Sequence, residues 1–478
     1  MPINSFLYPG AKASPPAYEV ANSCRFDKGS SPSLSKTSGT PTNALKWTFS
    51  AWVKISGIAN DTFLLDFNTD TNNRSQIGFQ DSDKAIIVYE KVSGSTSQLL
   101  QTSAQFRDPS AWLNIVVSCD RTLGTDTERT KIYVNGTRVT SFSTADGGPN
   151  YPAQNTNGII NTAVSTLIGK YSQSTLFYDG YMCEVVFIDG TAYAASDFGE
   201  FDEDSPTIWK PKDPSTLTFG NNGFYLDFED SSNLGNDANG GTDFTETNIV
   251  AADQATDTCT NNFCTLNPID ASALSNTANT FSEGNCKITD GSNYYLLAQS
   301  TFAVTSGKWY WETFIDATTS NTVSGPGIAD VDGFDRTDGA ANTAYGWIYA
   351  PDGDKRNAGT SSSYGDTYAA NDIIGIALDM DNKAIYFSKN GTWQASGDPT
   401  SGASKTNAAY TNLTGTVAAH VYDGASSEAH EFSLNFGGCP AFSISSGNAD
   451  ADGYGNFEYA PPSGFYSLCT KNLAEYGG

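Results

Sequence analysis

Apolar and polar side chains alternate along most of this chain with a period of two. Trp47, Phe49, Ala51 and Val53 alternate with Thr48, Ser50, Trp52 and Lys54, the pattern of a strand whose two faces differ in burial. KIYVNGTRVTSF reads as a hairpin: Ile132 and Val134 run in, Asn135 and Gly136 supply the positive φ of a type I′ turn, and Val139 runs out. GIALDMDNKAIYFSKNGTW repeats the device, with Ile376 and Leu378, a turn near Asp381 and Asn382, Ile385 and Phe387, then a second Asn-Gly turn at Asn390 and Gly391. Helix signals are scarce, the best being a short stretch near Ala194 to Phe198. Strands joined by Gly, Asn, Asp and Ser turns predict an all-β chain of antiparallel sandwiches.

Two strand-rich blocks flank a stretch from Ser231 to Thr258 that is rich in turn formers and poor in aliphatic residues, which predicts a junction between residues 231 and 280. The expected first domain closes on NGFYLDF (Asn222 to Phe228) and the second opens near Phe281. A length of 478 residues suits two or three domains, and no short-period repeat suggests a solenoid or a fibrous shaft. The expected division is an anchoring arm at 1–20, a sandwich at 21–250, a linker at 251–275 and a second sandwich at 276–478. In the arm, Leu7 and Tyr8 before Pro9-Gly10 lack a strand partner, so another chain is a natural place to bury them.

Charge narrows the function classes. Lys plus Arg number 26 against 53 Asp plus Glu, a net charge of −27, which argues against a partner whose backbone is a row of phosphates. The only histidines, His420 and His430, leave little room for imidazole catalysis or a His-rich zinc site. No basic stretch followed by a sustained apolar run reads as a secretion signal, and no apolar run is long enough for a membrane span. Eight dispersed cysteines, several within apolar strand patterns, read as buried small hydrophobes before they read as disulfides.

SCRFDKGSSPSLSKTSGTPTNALKWTFSAWVK, FRDPSAWLNIVVSCD, KIYVNGTRVTSFS, DGYMCEVVFIDGTAY and NGFYLDFED, in this order, resemble the laminin-G or concanavalin-like domains of marine bacteriophage structural proteins. GKWYWETFID, GIADVDGF, YGWIYAPDGDKR, DIIGIALDMDNKAIYFSKNGTW and EFSLNFGGCPAF resemble a SPRY (B30.2-like) domain. The resemblance implies two jelly-roll-like β-sandwiches that use loops for recognition, in a virion protein assembled in the host cytoplasm. It also implies contacts with other virion proteins and a homo-oligomer, with a trimer as the first expectation.

The candidate chemistry is sparse. Glu200, Asp202, Glu203 and Asp204 lack the Glu-x-Asp-x-x-Glu spacing of a glycosidase strand and read as a solvated acidic turn. Asn448, Asp450 and Asp452, two apart before Gly453, resemble a calcium loop, but the acid falls at Glu458, one position early. Asp237, Asn239 and Asp243 form a second oxygen cluster and Asp330, Asp332, Asp335 and Asp338 a third; turn chemistry is a sufficient explanation for all three. Tyr345, Trp347 and Tyr349 share a strand face and read as core, as do Trp309 and Trp311, which leaves Asp352, Asp354 and Arg356 as candidate loop contacts. The expected function is an exposed appendage or tail-fibre-type adhesin that binds a host-surface glycan or protein without turnover, inserts in no membrane and holds no cofactor other than possible calcium. The alternatives are an architectural capsid decoration or connector and, more remotely, a carbohydrate-active enzyme.

Overall fold

Period-two alternation becomes two antiparallel β-sandwiches, with 43% of the chain in strands and 8% in helix. The computed structural model describes residues 18–57, 61–80, 84–271, 279–289, 296–318, 324–333, 343–424 and 430–477. Nearly all of the anchoring arm, including Leu7 and Tyr8, and also Asp335 and Asp338 lie outside the described residues.

The first sandwich packs an eight-stranded sheet on a seven-stranded one. In the eight-stranded sheet the order is Thr137–Arg138, Thr130–Val134, Leu113–Asp120, Lys46–Ile55, Gly180–Asp189, Ser23–Phe26 and Gln254–Ala255, with Phe224–Leu226 also pairing Gly180–Asp189. In the seven-stranded sheet it is Thr245–Thr247, Ser33–Thr37, Ser165–Ile168, Thr62–Asp70, Asn73–Gln80, Ala85–Val92 and Ser95–Gln101. Trp47, Phe49, Ala51 and Val53 point inward with Phe67, Ile77, Val117 and Phe187, as the alternation predicts. Asn135 (φ 45°) and Gly136 (φ 72°) make the hairpin turn, and a Cβ on Gly136 would sit 2.3 Å from the Trp209 ring.

The second sandwich packs another eight-stranded sheet, centred on Lys308–Ala317 and Ile373–Asp379, against a six-stranded sheet that includes Val417–Asp423, Ser324–Asp330 and Gly346–Tyr349. Its core gathers Trp309, Trp311, Trp347 and Tyr349. Tyr345 does not join them: the strand begins at Gly346, so Tyr345 precedes the alternation and is 43% exposed. The helical signal near Ala194 is a single 3-10 turn, Ala195–Asp197. A C-terminal helix, Thr470–Tyr476, follows no signal noted in the sequence and packs its Leu473 and Tyr476 on the second core.

The described part of the expected linker, residues 251–271, is built into both sandwiches. Gln254–Ala255 pairs with Ser23–Cys24, so the first sandwich takes its last strand from beyond residue 250, and Phe263 bridges to Cys469 of the second. Asp257 is the hub of this junction. Its carboxylate accepts the Lys54 ammonium (2.7 Å), Trp112 Nε1 (3.0 Å) and the Phe263 amide (3.1 Å). Lys54 also donates to Asn262 Oδ1 and the Phe263 carbonyl, and the ion pair is 1% and 2% exposed, so neither charge could stay there without the other. Arg25 spans the domains as well, binding Asp253 (3.1 Å), Glu283 (2.9 Å) and the Pro440 carbonyl (3.2 Å). All eight cysteines are free; seven are buried and Cys259 is half-buried.

Candidate functional site

The two sheets of the first sandwich turn different outward faces to their surroundings. On the eight-stranded sheet, Val116, Val186, Ile188 and Tyr225 lie beneath Ala195, Phe198 and Phe219, while Trp52, Tyr181, Cys183 and Ala255 lie beneath Val20 and Cys439. That roof explains why Lys46–Ile55 is buried on both faces although its sequence alternates.

On the seven-stranded sheet, register pairing aligns polar and aromatic side chains in two rows. One row runs Ser35, Leu167, Asp66, Gln76, Tyr89 and Leu99. The other, two residues along and therefore on the same face, runs Ser165, Asn68, Arg74 and Lys91. A loop folds over them and brings Tyr171, Ser172 and Gln173. The Arg74 guanidinium lies 5.5 Å from the Tyr89 ring centroid and 5.6 Å from that of Tyr171. Tyr171 in turn packs on Phe63 at 5.3 Å, and Gln173 donates to Asn68 Oδ1 at 3.2 Å.

Asp66 forms the floor of this face. Fully buried, it accepts Ser172 Oγ (3.1 Å), Gln76 Nε2 (3.3 Å) and the Ser172 amide (3.4 Å), long contacts that compensate burial poorly. Burial pushes its carboxyl up to about 6, against the opposing pull of Gln76, Ser172 and Arg74. Above it Arg74, Tyr89, Lys91, Tyr171 and Ser172 are half-buried and Gln173 is exposed. Two aromatic rings beside a guanidinium, an ammonium and an amide can stack on an apolar sugar or peptide surface and hydrogen-bond its oxygens. The signal was present in the sequence as polar residues at single positions within apolar strands, Asp66 in FLLDF and Gln76 in SQIGF. What the sequence lacks is the register that aligns them.

The residues singled out in the sequence fall elsewhere. Asp352, Asp354 and Arg356 do come together, at the turn into the edge hairpin Asp354–Asn357 and Thr360–Ser363. Arg356 pairs with Asp352 at 2.6 Å, the Asp354 amide donates to Asp352, and Ser361 donates to Asp354. Their mutual contacts hold the hairpin, beside Lys355, which lies 5.3 Å from the Tyr410 ring centroid. The segment Asn448 to Asp452, whose spacing suggested a calcium loop, forms a hydrogen-bonded bracket. Asp450 accepts from the amides of Asp452 (3.0 Å), Tyr454 (3.0 Å) and Ser467 (2.9 Å), from Ser467 Oγ (2.6 Å) and from Asn472 Nδ2 (2.9 Å). Both carboxylate oxygens are thereby committed to protein donors. Asn448 donates to the Glu458 carbonyl, and Asp452 accepts from Tyr476. Glu200 lies in the strand Gly199–Phe201, and Asp202, Glu203 and Asp204 follow in a turn tied by Asp202 to Lys210 at 2.9 Å.

Two other groupings have chemistry without an open ligand face. A cleft of about 410 Å³ at the junction is lined by Arg25, Asp27, Asp253 and Glu283; Arg25 pairs with Asp253 and Glu283, and Asp27 accepts the Glu283 amide. Glu184, in a β-bulge of Gly180–Asp189 with φ 51°, accepts Tyr18 and Tyr225 hydroxyls at 2.9 Å each; burial pushes it up to about 8. Burial also pushes His430 down to about 4, keeping it neutral.

Residues 28–195 match the family described as the concanavalin A-like lectin/glucanases superfamily, and residues 308–427 match the SPRY domain. The chain therefore carries a laminin-G-type, concanavalin-like domain followed by a SPRY domain. None of the curated proteins compared with it matches. Among solved structures, the SPRY domain of human HERC1 is similar at 18% identity and a TM-score of 0.28, covering 35% of this chain and 95% of that one. A native heptameric SAP-like pentraxin from Limulus polyphemus is similar at 14% identity and a TM-score of 0.27, covering 37% of this chain and 80% of that one.

Proposed function

We propose that this chain is a non-catalytic adhesin whose first sandwich binds a saccharide on the outward face of its seven-stranded sheet. The observation that carries the reading is the cross-strand alignment of Asp66, Gln76 and Tyr89 beside Arg74 and Lys91, with Tyr171 closing over them. Lectins and glucanases name the superfamily of this domain, so saccharide is the ligand class that sheet and family have in common. Tyr89 and Tyr171 supply ring faces for the sugar, Arg74, Lys91 and Gln173 donate to its oxygens, and Asp66 keeps Gln76 and Ser172 oriented from below. Turnover would need two carboxyl groups about 5 to 10 Å apart across an accessible bond, and Asp66 lies under the face. The opposite sheet is occupied by the roof, so the second domain would set the orientation of the binding face.

The ordered motifs resembling marine phage structural proteins support placing the chain on a virion as an exposed appendage, working as an oligomer and adhering through many weak contacts. A capsid decoration would require a broad apolar surface to bury against a shell. The large exposed apolar residues among those described, Phe201, Ile208, Val250, Ile269 and Tyr345, are instead divided among separate segments, with only Phe201 and Ile208 on one hairpin. The test is a glycan array probed with the full chain, followed by binding to intact host cells and labelled electron microscopy of the particle. Saccharide binding that Tyr89→Ala and Tyr171→Ala each weaken supports the reading. Release of reducing ends, or no binding to any saccharide or cell, overturns it.

A further inference from the structure

Cys183 and Cys259 are 76 positions apart in the chain, yet their sulfurs lie 3.8 Å from each other. Cys183 is fixed in the strand Gly180–Asp189, opposite Trp52 on the roofed face. Cys259 sits in a tight turn closed by reciprocal backbone hydrogen bonds of Thr258 and Asn261, two residues after the junction hub Asp257. The two sulfurs meet each other directly. The sulfurs of Cys24, Cys119, Cys264 and Cys286 face oxygen atoms instead.

We propose that Cys183 and Cys259 are a disulfide-forming site, closed when the protein meets an oxidising medium and serving to lock the segment between the sandwiches onto the first sheet. A disulfide holds its sulfurs about 2.0 Å apart, so the pair has to approach by roughly 1.8 Å. The half-buried Cys259, carried on a turn, is the side that moves, because Cys183 is held in the strand by its pairing with Trp52. With a small-molecule disulfide as oxidant the step balances as two exchanges. The Cys259 thiolate attacks one sulfur of the reagent and releases one thiol; the Cys183 thiolate then attacks Cys259 and releases the second. The protein loses two hydrogens and the reagent gains them. Burial raises both thiols above their ordinary range, so exchange runs slowly near neutrality and accelerates as the pH rises. Once formed, the bond spans the strand and the segment that holds Asp257 against Lys54, adding a covalent tie where the noncovalent one is ionic.

The full chain is incubated with oxidised glutathione in mildly alkaline buffer, then denatured, alkylated and mapped by mass spectrometry. The expected result is a fall from eight free thiols to six and a cross-linked peptide containing Cys183 and Cys259. The melting temperature is also expected to rise, and to fall back on adding a reductant. Cys259→Ser is expected to keep all its remaining thiols and to show no oxidant-dependent melting shift; the reversal in the natural chain provides the same control without a variant. Retention of eight thiols, a stable mixed disulfide at Cys259, or a cross-link between another pair overturns the proposal.

Discussion

The two outward faces of the first sandwich come from strands of similar alternation and end in opposite states. On the eight-stranded sheet the outward positions Trp52, Lys54, Tyr181 and Cys183 are buried under the junction, whereas on the seven-stranded sheet Arg74, Tyr89 and Lys91 remain half-buried and reachable. The difference is one of neighbours. A sheet with one covered face buries side chains only on its core side, and both faces are lost to solvent when another element is placed on top. Here residues 193–219 and the second sandwich supply that element for one sheet only. The comparison teaches that a binding face in a tandem sandwich is defined as much by what the partner domain leaves uncovered as by the residues on it.

The largest expected effect breaks the covered side. Asp257→Ala leaves the Lys54 ammonium, Trp112 Nε1 and the Phe263 amide without their shared acceptor. Orphaning a buried charge of this kind costs about 3 to 5 kcal/mol, so chemical denaturation is expected to show a much lower midpoint, and limited proteolysis a new cut near residues 251–275.

Next comes Glu184, also on the roofed face. Its folded value near 8 exceeds the ordinary 4.5, so the native state binds its proton more tightly than the unfolded chain does. This contribution to stability is complete below about 4.5 and is lost as the pH rises through 8, because ionising the buried carboxyl favours unfolding. Glu184→Gln, which cannot ionise, is expected to gain on the natural chain by several kcal/mol at alkaline pH and by little in acid. Parallel urea titrations at several pH values check this; a pH-independent difference would contradict it.

A smaller effect sharpens the open side. Tyr89→Ala and Tyr171→Ala each remove a ring flanking Arg74. Each is expected to weaken saccharide binding by roughly tenfold, about 1.4 kcal/mol, with the melting temperature little changed for the half-buried rings. Isothermal titration against the best array ligand measures it. The smallest effect is expected for Arg356→Ala in the second sandwich. Its pair with Asp352 is partly exposed, so stability should drop by less than about 1 kcal/mol and saccharide affinity should not move.

Much of the architecture was legible before the coordinates. The Asn135-Gly136 and Asn390-Gly391 turns are local chemistry, since positive φ at those positions is a property of four or so neighbouring residues. The burial of Trp309, Trp311, Trp347 and Tyr349 followed from alternation in the same way. The candidate site was less legible. Asp352, Asp354 and Arg356 were recognised as a group, and the structure does bring them together, but as the internal fastening of a hairpin. Asp450 had the spacing of a metal ligand, yet its five donors come from residues 452 to 472, a convergence that spacing within one loop does not reveal.

By itself the sequence determined the strands, their turns and the two-sandwich class, because a period of two and a residue's tolerance of positive φ act over a few neighbours. The tertiary structure alone decided that Asp66, Gln76 and Tyr89 share a row, that Lys54 meets Asp257 across 203 positions and that Cys183 meets Cys259. Those contacts depend on register and on which face the second domain covers. Both are settled by the summed packing of distant strands, and a slip of one residue in any of them would turn a whole row of side chains to the opposite face.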